Sequence, residues 1–174
     1  MSNEFSRRGF LKLGGAAAVT VATGAAEARP DRSPAGGRDA GRTVLPYPRL
    51  AVAQGNLLRV NEPLEFHFPD DASPCVLIRT AGPVAGGVGP QQNLIAYSTT
   101  CTHMGCPVAY QPKSSTFKCP CHFTTFDAEK EGQLICGQAT ENLPRVAIEY
   151  DDKTDRIFAV GVNGLLYGRQ SNIL

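Results

Sequence analysis

Two short boxes of cysteine and histidine constrain this chain more than any other feature. The first reads Cys101-Thr102-His103-Met104-Gly105-Cys106-Pro107. The second reads Cys119-Pro120-Cys121-His122-Phe123-Thr124-Thr125-Phe126-Asp127. Written as a pattern they are C-x-H-x15-C-x2-H, with one extra cysteine in each box. Thiolate is a soft ligand suited to zinc and to iron–sulfur clusters, and imidazole suits both metals. Any such site forces two loops tip to tip, so the scaffold must present them that way. Structural zinc does take Cys2His2 sets, but usually as C-x2-4-C with H-x3-5-H, like paired with like. Here each box mixes one thiolate with one imidazole, which favours an iron–sulfur cluster over zinc.

The pattern resembles the Rieske proteins, in which two imidazoles replace two thiolates on one iron of a 2Fe–2S cluster. The resemblance puts Cys101 and Cys119 on one iron and His103 and His122 on the other. Neutral imidazoles place less negative charge on their iron than thiolates do, so reduction becomes easier. Potentials of such centres lie at about −150 to +300 mV, against about −400 mV for the all-cysteine plant type. Cys106 and Cys121 remain, at matching places in the two boxes. They could be two more ligands, but the cluster already has four. A disulfide between them would clamp the loops together, as in the disulfide-bearing Rieske proteins. A disulfide needs an oxidising compartment.

The start of the chain agrees. Ser6-Arg7-Arg8-Gly9-Phe10-Leu11-Lys12 is a twin-arginine export box, followed by a mildly apolar run from Leu13 to Ala26. Ala26-Glu27-Ala28 fits a small-residue cleavage site, so residues 1–28 read as the signal and Arg29 as the first mature residue. The run is rich in Gly, Ala and Thr and falls short of the roughly 20 apolar residues of a spanning helix. Cleaved, it frees the protein into the periplasm; kept, it would be a weak membrane anchor. Both outcomes are open. Twin-arginine export carries folded proteins, which suits a cluster inserted in the cytoplasm.

A chain of 174 residues, less its signal, has room for about one domain. Losing the signal removes three of 17 basic and two of 16 acidic residues, which leaves a net charge of zero. No basic field then points to nucleic acid or to a membrane surface. There is no Trp, Gly and Pro are frequent, and no long helical period appears, so the expectation is an all-β domain of antiparallel sheets over residues 44–174. Residues 29–43 read as a flexible Pro-, Gly- and Arg-rich tail. Leu64, Phe66 and Phe68 alternate with Glu65 and His67 as a half-buried strand, with His67 on its polar face. Cys75–Thr80 and Asn93–Thr100 are apolar, β-branched runs, separated by the Gly- and Pro-rich loop Gly82–Pro90. Val108–Tyr110 and Thr116–Lys118 predict a hairpin between the two boxes, inside a cluster-binding subdomain over about residues 98–127. Arg145–Tyr150 and Arg156–Val162 predict a second hairpin, and Asn163-Gly164 a tight turn into a strand at Leu165–Tyr167. Cys75 and Cys136 could pair or could be buried free thiols.

Further blocks sharpen the resemblance. Ser73-Pro74-Cys75, Gly86-Gly87-Val88-Gly89-Pro90, Cys119–Lys130, Ile135–Arg145 and Tyr167-Gly168-Arg169-Gln170 are similar to the Rieske small subunit of arsenite oxidase, over nearly the whole mature chain. That family implies a large partner subunit with a molybdopterin centre, where arsenite is oxidised. It also implies a soluble cytochrome c or blue copper protein as electron acceptor. Quinol-oxidising Rieske proteins of cytochrome bc complexes carry Ser and Tyr where this chain has Thr124 and Phe126. Thr124 can still donate a hydrogen bond to the cluster, and Phe126 cannot. Losing one donor should lower the potential, which suits a relay better than a quinol oxidase. The imidazole edges give the shortest electron path outward, so Met104 and Phe123 at the loop tips are expected to line the docking surface. No nucleophile–base pair or molybdenum-binding stretch is recognisable, so this chain alone is not expected to oxidise substrate. A metal-stabilised binding module without redox function is the remaining reading, and iron stoichiometry separates it.

Overall fold

The computed structural model describes residues 47–173; the signal, its cleavage site and the expected tail lie outside them. Ten strands are formed there: β1 (Leu50–Gln54), β2 (Leu64–His67), β3 (Pro74–Arg79), β4 (Leu94–Ser98), β5 (Ala109–Gln111), β6 (Thr116–Lys118), β7 (Thr125–Asp127), β8 (Gln133–Cys136), β9 (Arg145–Asp151) and β10 (Arg156–Asn163). One 3-10 turn, Gly55–Leu57, follows β1. Six strands make one antiparallel sheet in the order β1-β10-β9-β4-β3-β2, and β5-β6-β7-β8 make a second as a simple meander. The small sheet is thus an insertion between β4 and β9, which are neighbours in the large one.

The alternation in β3 and β4 explains how the two sheets meet. Successive strand residues point to opposite faces. Cys75, Leu77, Leu94 and Ala96 therefore enter the core of the large sheet, with Val146, Ile148, Ile157 and Ala159 from β9 and β10. Val76, Ile78, Ile95 and Tyr97 point the other way, into a second core with Phe117, Phe126, Ala128 and Leu143. All five residues of β4 are buried, so it reads as a continuous apolar run rather than an alternating one. Tyr97 is the pin between the units. Its ring meets Phe117 edge-on at 5.4 Å, and its hydroxyl donates to the carbonyl of Ala128 at 2.8 Å. The second core also contains Cys101 and Cys119, so the two loops are seated on this hydrophobic floor.

One local expectation is corrected and two are refined. Leu165–Tyr167 is not a strand. There the side chain of Asn172 takes the work of a partner strand, accepting from the Leu166 N–H at 2.8 Å and donating to the Gly164 carbonyl at 2.7 Å. Leu64 is 38% exposed rather than half-buried, because β2 is the sheet edge; its alternation deepens only at Phe66 and the fully buried Phe68. Cys75 and Cys136 do not pair. Cys75 is a buried thiol of the main core, pushed up to about 12 by burial, while Cys136 lies exposed on β8. His67 is exposed, as its strand face predicts.

Candidate metal centre

Both boxes form loops of one design. In the first, the Cys101 N–H donates to the carbonyl of Cys106 at 2.8 Å and the Gly105 N–H returns to the carbonyl of Cys101 at 2.9 Å. In the second, the Cys119 N–H donates to Thr124 at 2.8 Å and the Phe123 N–H returns to Cys119 at 3.1 Å. Each loop closes through a residue with left-handed backbone four positions after its first cysteine, Gly105 (φ 72°) and Phe123 (φ 59°). Gly105 suits its place twice, since a Cβ there would stand 2.6 Å from the Tyr167 ring. The disulfide Cys106–Cys121 joins the loops.

The four predicted ligands divide into an inner and an outer pair. Cys101 and Cys119 are buried at the base, 0% and 2% exposed. The Cys101 thiol is pushed up, first by burial and also by Cys119 beside it, while the backbone N–H groups of His103 and Met104 pull the other way. Such a pair favours its thiolate form once a metal cation is bound. His103 and His122 lie toward solvent, with their Nδ1 atoms 3.2 Å apart and their rings at 83°. Two metal–nitrogen bonds of about 2.1 Å at a roughly tetrahedral angle span about 3.4 Å, so this spacing fits two imidazoles on one metal. A single four-coordinate ion would draw all four donors into one cluster. Among the described residues, no three of these four donors lie within 4.8 Å of one another. The donor set therefore fits a binuclear group, with thiolates at one end and imidazoles at the other. The trio that does meet that distance, Cys106, Cys119 and Cys121, is the disulfide beside one ligand thiol.

The surroundings brace these loops. The Thr124 hydroxyl accepts from the Gln138 N–H at 3.2 Å, which leaves its own proton free to donate. Gly137 (φ 113°) presses so closely that a Cβ would stand 2.3 Å from the Thr124 Cα. The Thr102 hydroxyl donates to the carbonyl of Glu141 at 2.9 Å. Phe126 is fully buried in the floor, and Met104 and Phe123 are 58% and 80% exposed at the tips. The contacts of Tyr97, Gly137 and Tyr167 carry no local signal in the sequence. Their roles depend on contacts across 30 or more residues or on a left-handed backbone, and glycine alone signals only the latter.

The family model of the Rieske [2Fe-2S] domain matches residues 50–147. The chain belongs to the Rieske [2Fe–2S] family. It is an electron-transfer protein whose cofactor is that cluster. A twin-arginine signal model matches residues 4–24, the mark of export to the periplasm. The chain is 40% identical over 172 residues to iodate reductase subunit IdrB of Denitromonas iodatirespirans, covering 96% of this chain and 86% of that one. It is 35% identical to iodate reductase subunit IdrB of Pseudomonas sp. strain SCT, over 72% of this chain and 66% of that one. The fold matches the soluble domain of Rieske protein II (soxF) from Sulfolobus acidocaldarius with a TM-score of 0.63 and 26% identity, over 71% of this chain and 82% of that one. Among the described residues, no helix is long and apolar enough to cross a membrane.

Proposed function

We propose that this chain is the electron-transfer small subunit of arsenite oxidase. It takes electrons from a molybdopterin-containing large subunit and passes them to a periplasmic cytochrome c or blue copper protein. Cys101 and Cys119 would hold one iron through thiolates, and His103 and His122 the other through Nδ1. When bound, the cluster supplies one-electron transfer. The chain's part is to keep the thiolate end dry, hold the imidazole end at the surface, and present Met104 and Phe123 to a partner.

The observation that carries this reading is where the arsenite-oxidase-like blocks fall. Gln138 and Glu141, from the Ile135–Arg145 block, contact Thr124 and Thr102. Tyr167 opens the other block and lies over Gly105. These blocks brace both cluster loops, so their resemblance extends to the surroundings of the centre. The fully buried Phe126, at the place of a tyrosine in quinol-oxidising members, counts against the cytochrome bc reading. Identity to the iodate reductase subunits, over nearly the whole chain in one of them, favours a second reading in which the large subunit reduces iodate and this chain relays electrons the other way, into it.

The test uses the complex purified with its native large subunit under anaerobic conditions. Arsenite should reduce the cluster, seen as bleaching of its visible absorption and the rise of its electron paramagnetic resonance signal. The isolated small subunit should not respond. Oxidation of the reduced complex by iodate, with no reduction by arsenite, would replace the first reading by the second. Stoichiometric zinc in the site of natively expressed protein would end both.

A further inference from the structure

Four cysteines meet at the centre, and one disulfide is shared among them. Cys106 and Cys121 are bonded, while Cys101 and Cys119 are free thiols. The sulfur of Cys119 lies within 4.8 Å of both disulfide sulfurs. Cys101 is buried in the same core cluster as Cys119. Cys119 is therefore the common neighbour of a disulfide and of a second thiol, buried where external thiols do not reach.

We infer that Cys119 is a built-in exchange nucleophile, and that in the cluster-free exported chain the disulfide relocates into the ligand pair. The Cys119 thiolate attacks one disulfide sulfur, at Cys121 or at Cys106. A new S–S bond forms to Cys119, the Cys106–Cys121 bond breaks, and the displaced sulfur leaves as a thiolate. Cys101 then attacks the Cys119 sulfur, forms Cys101–Cys119 and displaces the second thiolate. Each step replaces one disulfide by another, and the proton given up by the attacking thiol ends on the displaced sulfur. No external oxidant or reductant takes part. Both ligand thiolates are then consumed, and Cys106 and Cys121 are thiols.

This inference rests on Cys101 and Cys119 being the cluster's thiolate ligands. Iron on Cys119 leaves no free nucleophile, so the loaded chain keeps its Cys106–Cys121 bond. The consequence is an order of assembly. The cluster must be in place before the disulfide forms, which fits a chain exported folded. Loss of the cluster in the periplasm is one-way, because an empty site closes on itself.

The full-length protein is stripped of iron anaerobically with a chelator and held at mildly alkaline pH. It is then quenched with acid, alkylated, and digested without reduction for mass spectrometry. The stripped chain should lose the Cys106–Cys121 peptide and gain linkages containing Cys119, at a rate independent of protein concentration. The loaded chain should keep Cys106–Cys121. Cluster-free Cys119→Ser should keep it too, and cluster-free Cys101→Ser should stop at the mixed Cys119 linkages. A stripped wild type that retains Cys106–Cys121 as fully as Cys119→Ser overturns the inference. So does scrambling that draws in Cys75 and Cys136 equally, which is the pattern of an unfolded chain. Exchange in the loaded chain at the stripped rate would leave the nucleophile standing but refute Cys119 as a ligand.

Discussion

Phe123 holds a left-handed backbone, φ 59°, with its ring 80% exposed. Neither condition favours a bulky residue, since that backbone costs about 1–2 kcal/mol without glycine. Phe123→Gly relieves the backbone, at an offsetting cost of about 0.5–1 kcal/mol in chain entropy. The melting temperature and the reduction potential should stay close to wild type. Reduction of the proposed periplasmic acceptor should slow severalfold, measured by stopped flow; an unchanged rate would remove Phe123 from the proposed docking surface. Thr124 argues separately. With its oxygen accepting from the Gln138 N–H, its proton stays free, and the proposed donation to the cluster would use it. A hydrogen bond of about 1 kcal/mol corresponds to about 40 mV in a one-electron couple. Thr124→Val should lower the potential by about that much in film voltammetry. It should also cost about 1 kcal/mol of stability by removing the hydrogen bond from the Gln138 N–H.

β8 and the turn after it act on the cluster loops from behind. β8 pairs with β7, placing Cys136 opposite Thr125, and Gly137 then leans on the Thr124 backbone with φ 113°. An alanine there meets backbone at 2.3 Å and cannot adopt this conformation cheaply. Gly137→Ala should therefore displace the second loop, cost at least about 1 kcal/mol, and release iron faster under a chelator challenge. The Asn142 side chain accepts from the Leu134 N–H of β8 at 3.0 Å, so this strand is held on its open edge as well. A loop presenting two ligands is thus fixed by a sheet edge that contributes none.

Away from the cluster, an ion pair ties the carboxyl-terminal segment to the large sheet. Arg169 donates to Asp70 at 2.6 and 2.9 Å and to the Ser73 hydroxyl at 2.6 Å, in the turn between β2 and β3. Asn172 donates to the Tyr47 hydroxyl at 3.2 Å. The Arg169 hydrogen bond is the main reason the Asp70 carboxyl falls from the ordinary 3.8 to about 2, against a smaller opposing effect of burial. A carboxyl whose pKa is lower folded than unfolded stabilises the fold above pH 3.8, and that contribution is lost as pH falls toward 2. Both partners reach solvent, so screening holds it to about 1 kcal/mol or less. Thermal unfolding of wild type should show this loss between those pH values. Asp70→Asn should lack that component while keeping the rest of the acid transition.

The two cysteine–histidine boxes, the export signal, the all-β class and most strands were legible in the sequence, because each is written locally. Metal-ligand chemistry needs particular side chains at short spacing, and a half-buried strand needs a period of two. Even the short hairpin between the boxes announced itself, with β6 at the expected residues and β5 one residue later than expected. Three short strands were not legible: β1 is apolar without alternation, β7 lies inside the second box, and β8 exposes Ile135 and Cys136. Leu165–Tyr167 misled for a related reason. An Asn-Gly turn proposes a hairpin, but a strand there needs a partner, and Asn172 satisfies the backbone first. What only the tertiary structure decided is how distant segments meet. Tyr97 reaches Ala128, Gly137 leans on Thr124, Tyr167 covers Gly105, and Cys119 comes to lie beside the disulfide. Those contacts follow from inserting one sheet into another, which brings together residues that no local pattern connects.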